Sequence, residues 1–336
     1  MKTLHLSHND VQKAADIIKS GGIVAIPTET VYGLAASVFD TNAISKIYAA
    51  KGRPSDNPLI VHISDLKELR DVISDFPEKA QELIDEFWPG PLTMILPKNE
   101  KIPSVVTGGL DSVAVRFPSH ILAQEVIRKA GVPLVAPSAN LSGSPSPTKF
   151  SHVVEDLDGK IDAILDGGDC NFGLESTVIS FIDETPILLR PGAITPAEIE
   201  AIIGDIIIDD SVYSEIKTGQ KVISPGTKYK HYSPKTNVII IKGDPKSYGE
   251  FLNSHIDENP LALCFDEDLP FLETPFLSYG SIEDESEQAK NLFDALRQAD
   301  KQNVSIIYAH SPSVENIGIA VYNRLIRSAG FNIIEL

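Results

Sequence analysis

Cysteine is nearly absent: the chain has two, Cys170 and Cys264, in 336 residues. Two cysteines exclude a disulfide framework and a four-cysteine zinc site, and their scarcity is expected of a reducing compartment. No apolar run approaches the ~20 residues that cross a bilayer, so no membrane span is expected. The opening segment MKTLHLSHND lacks the apolar centre of a secretion signal. These absences predict a cytoplasmic protein. Positive charge is also short. The chain carries 29 Lys and Arg against 47 Asp and Glu, a formal charge of −18, and such a surface repels nucleic acid and anionic membrane. The familiar signatures G-x-x-x-x-G-K-[ST], H-E-x-x-H and the kinase glycine loop are missing. A G-x-S-x-G nucleophile elbow is missing as well, which removes the serine-hydrolase reading. Any nucleotide must be held by another device.

What is present is ordinary globular composition, 42% hydrophobic, in a chain long enough for about two domains. Two basic islands interrupt the acidic background. Residues 216–243 hold Lys217, Lys221, Lys228, Lys230, Lys235 and Lys242 and no acid. Residues 41–64 hold Lys46, Lys51 and Arg53 against Asp56 alone. Such islands suit a small, highly charged ligand better than a long duplex.

Helical and strand patterns alternate along the chain. Helices are expected at 11–18, from Thr41 as cap through Tyr48, at 77–87, 119–130, 148–157 and 196–203. Strands are expected at 23–26, 59–63, 92–96, 112–117, 132–136, 163–166, 176–181 and 187–190. Their uneven spacing predicts an α/β fold with an open, twisted, mixed sheet over residues 1–209. Residues 210–236 lack periodicity and read as a basic connector. Residues 237–336 read as a smaller βαβ unit, with strands at 238–241, 261–265 and 304–308 and helices at 245–256, 283–302 and 314–329.

Several segments carry residues suited to chemistry. PTETVYGL at 27–34 follows an expected strand, where open α/β sheets bind ligands, and is expected to lead into a helix. KGRPSDNPL at 51–59 offers the point charge of Lys51 and the planar fork of Arg53 for phosphates. SVAVRFP at 112–118 places Arg116 in an apolar strand, fit either to clamp a carboxylate or to pair with an acid such as Asp111. APSANLSG at 136–143 supplies hydroxyls and backbone amides. Ser176-Thr177 and Leu189-Arg190-Pro191-Gly192 form a fifth group. SPGTKYKHYSP at 224–234 sets Tyr229, His231 and Tyr232 among lysines.

Together these motifs, in this order, resemble the Sua5/YrdC family: a YrdC-like domain over residues 8–205, and the longer Sua5 form over the whole chain. The resemblance implies a large, positively lined cavity in the first domain and a smaller Rossmann-like C-terminal domain. It implies a nucleotidyltransferase that condenses L-threonine, bicarbonate or CO2, and ATP into threonylcarbamoyl-AMP and pyrophosphate. The product would go to a tRNA threonylcarbamoyl transferase for the t6A modification of tRNAs reading ANN codons. Carried over residue by residue, it implies threonine contacts from Thr30, His62, Arg116, Ala136 and Ser176. It implies ATP contacts from Lys51, Arg53, Asn57, Ser112, Ser138, Asn140, Ser146, Arg190 and Tyr232, with the connector closing over the nucleotide. Mg2+ would arrive with ATP. No metal ligand is named, and no direct tRNA binding is required. A structured-RNA gripping module is disfavoured by the acidic charge and the lack of an aromatic stacking platform. Carbamoyl transfer in hydrogenase maturation is disfavoured by the two cysteines, since those larger proteins add cysteine-rich zinc modules.

Overall fold

The computed structural model describes residues 2–214 and 232–336. The first stretch runs β1 (Leu4–Leu6), α1 (Val11–Lys19), β2 (Val24–Ile26), β3 (Gly33–Ser37), α2 (Thr41–Lys51), β4 (Ile60–His62), α3 (Leu69–Val72), α4 (Glu78–Phe87), β5 (Leu92–Pro97), α5 (Ser104–Thr107), β6 (Ser112–Arg116), α6 (Ile121–Ala130), β7 (Leu134–Val135), α7 (Phe150–Leu157), β8 (Ala163–Leu165), β9 (Thr177–Ser180), β10 (Ile187–Arg190), α8 (Pro196–Ile203) and β11 (Ile207–Ile208). Its strands form one mixed sheet in the order β1-β8-β2-β3-β7-β4-β6-β5-β9-β10-β11. The second stretch runs β12 (Asn237–Lys242), α9 (Pro245–Ser254), β13 (Pro260–Cys264), β14 (Phe276–Ser278), α10 (Glu285–Ala299), β15 (Ile306–His310), α11 (Gly318–Ser328) and β16 (Ile333–Glu335). Its sheet, β14-β13-β15-β12-β16, is parallel throughout. No helix among the described residues is long and apolar enough to cross a membrane.

Local chemistry explains most boundaries. Val11, Ala14, Ala15 and Ile18 fall on one buried stripe of α1, as their spacing predicts. The cap of α2 is Asp40, not Thr41: its carboxylate accepts the backbone N–H of Asn42 and of Ala43, both at 3.0 Å. The anion is the better partner for those N–H groups and the positive helix end. Gly52, with φ of 61°, closes α2 in the left-handed conformation.

One expectation is corrected here. PTETVYGL leads into a strand, β3, which pairs antiparallel with β2 through Val24↔Ala35 and Ile26↔Gly33. The helix, α2, begins only after this strand, and small residues let β3 pack closely on its neighbours. A Cβ on Gly33 would stand 3.1 Å from the Cβ of Ala136. β1, β14 and β16, three residues each, are too short to show a period-two pattern and were not expected.

Strand alternation divides the large sheet into two chemically different faces. Val61, Val113 and Val115 point into the main apolar core, under the helices. Ile60 and Ala114 point to the opposite face, where they share a small cluster with Ile95, Val178 and Leu189. His62 and Arg116 follow in the same alternation.

The parallel unit docks through α10 and α11. Arg297 of α10 gives Nη2 to Asp156 at 2.7 Å and Nη1 to the same carboxylate at 3.2 Å, and Nη2 also reaches the Pro145 carbonyl. Asp294 accepts from Lys149 at 2.9 Å and faces His152 Nε2 at 3.0 Å. Val31 and Leu174 of the first stretch are buried in the core of the parallel unit. Removing one partner of a buried ion pair strands the other charge. Arg297→Ala is therefore expected to destabilise the protein by ~3–5 kcal/mol, read as a lower urea midpoint. The double change Arg297→Met with Asp156→Asn should cost less than Arg297→Ala alone.

Candidate active site

The site is a pocket on the face of the large sheet opposite the main apolar core. It enclosed about 650 Å³ in all, its mouth included. Much of its lining stands at the carboxyl ends of strands: Thr28 and Thr30 follow β2, His62, Arg116 and Arg190 end β4, β6 and β10, and Ala136 and Ser138 follow β7, while Pro58 extends it to the start of β4. Thr30, His62, Arg116, Ala136 and Ser176 line it. So do Arg53, Ser138, Asn140, Ser146, Arg190 and Tyr232. Lys51, Asn57 and Ser112 are not among the lining residues.

At the His62 end, Arg116 is held from three sides. Its Nη2 donates to Glu29 Oε1 at 2.6 Å, its Nη1 to the Thr30 hydroxyl at 2.8 Å, and its Nε to the Gly90 carbonyl at 3.3 Å. A guanidinium has five N–H donors, so Nη1 and Nη2 each keep one. The partner acid is Glu29, not Asp111, which precedes β6. Burial pushes the Glu29 carboxyl up, but the charge and hydrogen bond of Arg116 outweigh it and hold the group below its ordinary value. His62 is buried with Nδ1 3.2 Å from the Ile60 carbonyl, which leaves Nε2 as an acceptor. Burial, helped by the Arg116 charge, drives its pKa down to about 3.

At the Pro58 end, Arg53 gives Nη2 to the Pro58 carbonyl at 3.0 Å. Its buried Nε has no hydrogen-bond partner among the described residues, and burial pulls the guanidinium pKa down to about 10. A buried donor with no partner is costly, and here it borders the pocket, where an anion would satisfy it. Lys51, expected to touch ATP, is buried behind the pocket wall. Its ammonium donates to the carbonyls of Ser138 at 2.5 Å and Asn140 at 2.7 Å, and so braces the loop that carries them.

The hydroxyls are oriented as well. Thr28 donates to the Val31 carbonyl at 2.6 Å, so the 2.9 Å contact between Thr28 and Thr30 must be donated by Thr30. Ser138 donates to Asn140 Oδ1 at 2.6 Å, and Ser146 donates to Glu175. The hydroxyls of Thr30, Ser138 and Ser146 therefore present lone pairs to the pocket. Anions must be met by guanidinium and backbone N–H groups, whereas hydroxyl oxygens suit an ammonium or another donor. Arg190 gives Nε to the Ser176 carbonyl at 3.0 Å and Nη2 to the Ser176 hydroxyl at 3.2 Å. Gly192 is required beside it, because a Cβ there would lie 2.4 Å from the Thr177 nitrogen. Two acids of this site, Glu29 and Glu175, were not singled out in the sequence. Glu29 sits inside a recognised motif, and Glu175 directly precedes Ser176, but nothing in their spacing names their partners.

Residues 16–192 match the Sua5/yciO/yrdC family, described as telomere recombination, and residues 194–330 match the threonylcarbamoyl-AMP synthase C-terminal domain. The threonylcarbamoyl-AMP synthase of Bacillus subtilis is 45% identical over 339 residues, spanning 99% of this chain and 97% of that protein. The chain belongs to the Sua5 family. The threonylcarbamoyl-AMP synthase of Pyrococcus abyssi is 43% identical over 97% of this chain and 96% of its own length. A crystal structure of Pyrococcus abyssi Sua5 complexed with L-threonine superposes with a TM-score of 0.92 at 41% identity, covering 100% of both chains. The fold is thus that of Sua5, an α/β protein with a mixed sheet followed by a parallel one.

Because His62 has a lower pKa folded than its ordinary 6.5, the unfolded chain binds the extra proton between about pH 6.5 and 3. Stability from this group is complete above that window and falls as pH drops through it, by at most about 1.4 kcal/mol per unit. His62→Gln should remove this component, so the stability gap between wild type and variant shifts in favour of the variant from pH 7 to pH 4. Urea titrations at each pH measure it.

Proposed function

We propose that this chain is an L-threonylcarbamoyladenylate synthase, which condenses L-threonine, bicarbonate or CO2, and ATP into threonylcarbamoyl-AMP and pyrophosphate. One observation carries the reading: in a chain of the Sua5 family, a single pocket holds Arg116 and His62 at one end of β4 and Arg53, whose buried Nε has no partner among the described residues, at the other. Threonine lies at the first end. Its carboxylate accepts the remaining N–H groups of Arg116, while Thr30 and neutral His62 offer acceptors for its ammonium and hydroxyl. Ser176 and the Ala136 backbone complete that end. ATP lies along Arg53, Ser138, Asn140, Ser146, Arg190 and Tyr232. Lys51 supports this end from behind, and Asn57 and Ser112 are kept as ATP contacts on the strength of the family resemblance.

The chemistry is two condensations. The threonine amine adds to CO2 or bicarbonate, and an oxygen of the resulting carbamate then displaces pyrophosphate from the α-phosphorus. The residues position the reactants and balance charge; no side chain here is assigned as a general base. Exclusion of water protects the labile carbamate. Magnesium comes with ATP, held by its phosphates and water. Glu175, which lines the pocket, and Glu29, which holds Arg116 beside it, are each tied to an arginine, so the protein contributes charge balance there rather than a metal cage. The division proposed is a catalytic domain over 1–209, a connector over 210–236 and a C-terminal domain over 237–336. Most of the connector, including Lys217, Tyr229 and His231, lies outside the described residues; Tyr232 at its end does line the pocket. The product passes to a tRNA threonylcarbamoyl transferase in the cytoplasm, with no need for tRNA to bind this acidic chain.

With ATP, magnesium, threonine and bicarbonate, the protein should release pyrophosphate and form an adenylate detectable by mass. An equal rate with serine, or with no amino acid, ends the reading. Arg53→Ala should weaken ATP binding, and Arg116→Ala threonine binding, each by ~1.5–3 kcal/mol, roughly tenfold or more. Calorimetric titration of both ligands against both variants decides this, and equal losses for both ligands would show that the two arginines do not divide the work.

A further inference from the structure

Glu175 is the odd residue of the pocket. It is buried, it lines the wall beside Ser146 and Arg190, and it brings a negative charge to a place read as a polyphosphate site. At low dielectric, such a charge facing phosphates is strongly repulsive. Its oxygens are both occupied. Oε1 accepts the Ser146 hydroxyl, and Oε2 accepts Nε of Arg324 at 2.9 Å.

Arg324 belongs to α11, in the C-terminal unit, and is fully buried. It does not line the pocket. Its Nη1 donates to the Pro191 carbonyl at 2.7 Å and to Asn323 Oδ1 at 3.1 Å, and its Nη2 to the Glu175 carbonyl at 3.2 Å. It thus grips the side chain and backbone of Glu175 together, and its guanidinium carbon stands 5.8 Å from the centre of the Tyr232 ring. The same wall is shaped against α10: a Cβ on Gly173 would meet the Lys290 backbone at 2.4 Å. The first stretch of the chain supplies Arg53 and Arg190 to the pocket.

We propose that Arg324 is a positioning residue of the synthase site, a counter-charge from the C-terminal unit that neutralises Glu175 so that this acid does not repel the phosphates of ATP. Through Glu175 it also fixes the direction of the Ser146 hydroxyl. The role is electrostatic first, and this separates it from simple packing: the penalty for losing Arg324 resides in the charge left on Glu175.

A double-mutant cycle on the full chain tests this, with ATP binding measured by calorimetry and folding checked by thermal unfolding. Arg324→Met should weaken ATP binding tenfold or more. In the Glu175→Gln background the same change should weaken it by less than about threefold, because the stranded charge is gone. Equal losses in both backgrounds, or no loss in either, overturn the proposal. If Arg324→Met does not fold, Arg324→Lys carries the test. It keeps the cation but not the fork, so ATP affinity should stay within about threefold of wild type; a loss of tenfold or more overturns the electrostatic role. The inference rests on the synthase reading, and the wild type separates the two. A wild-type protein that does not bind ATP defeats that reading, whereas one that binds ATP while Arg324→Met binds it equally well defeats only the role of Arg324.

Discussion

Burying a guanidinium is tolerable only when its charge and donors are met by partners, and four such groups surround one pocket here. Arg116 and Arg324 each have a carboxylate, Glu29 and Glu175. Arg190 is fixed by Ser176. Arg53 has a buried Nε with no hydrogen-bond partner at all among the described residues. The pattern orders the site: charges already balanced by protein orient the walls, and the unsatisfied one marks where a ligand must bring an acceptor. The two faces of the sheet make this arrangement feasible. Valines on alternate positions anchor β4 and β6 in the helix-covered core, and the residues between them are delivered to the pocket.

Much of this was legible in the sequence, for identifiable reasons. Val113 and Val115 announce a strand, and the arginine one position on must then share a face with Ala114. Pro54 and Pro58 around Arg53, and the glycine of the Arg190-Pro191-Gly192 turn, point to stiff loops with a purpose. The motifs were recognisable because each is short and local. What escaped was of another kind. The partner of Arg116 is Glu29, 87 residues away, and no local pattern distinguishes it from Asp111, five positions before the arginine. Lys51 and Arg53 read as one basic motif, yet one side chain turns inward to carbonyls and the other to the pocket. That division depends on the left-handed residue between them, Gly52, and on where the Ser138 loop returns. β3 was not expected as a strand, because Gly, Leu, Ala, Ala and Ser show no clear period and the pairing that makes the strand lies in β2.

The relation between the two halves is also not a matter of sequence proximity. The parallel unit has its own core, yet Val31 and Leu174 of the first stretch are buried within it, and Tyr232 stacks on Phe293 with ring centres 5.2 Å apart. Apolar contact and ion pairs reach the same wall, the loop that ends in Glu175 and Ser176. The C-terminal unit is therefore built into the site wall rather than tethered beside it.

The contact between Glu175 and Arg324 spans 149 residues of chain, and that distance has a meaning in time. A ribosome delivers the first half well before α11 exists, and domains tend to fold as they emerge. The newborn sheet can assemble its arginines and serines while Glu175 still lacks its opposite charge. Only when nearly the whole polypeptide has been made does the counter-ion arrive. A prematurely terminated product would carry nearly every recognisable motif and still lack the guanidinium that Glu175 pairs with, so translation itself sets the moment at which that buried carboxylate meets its opposite charge.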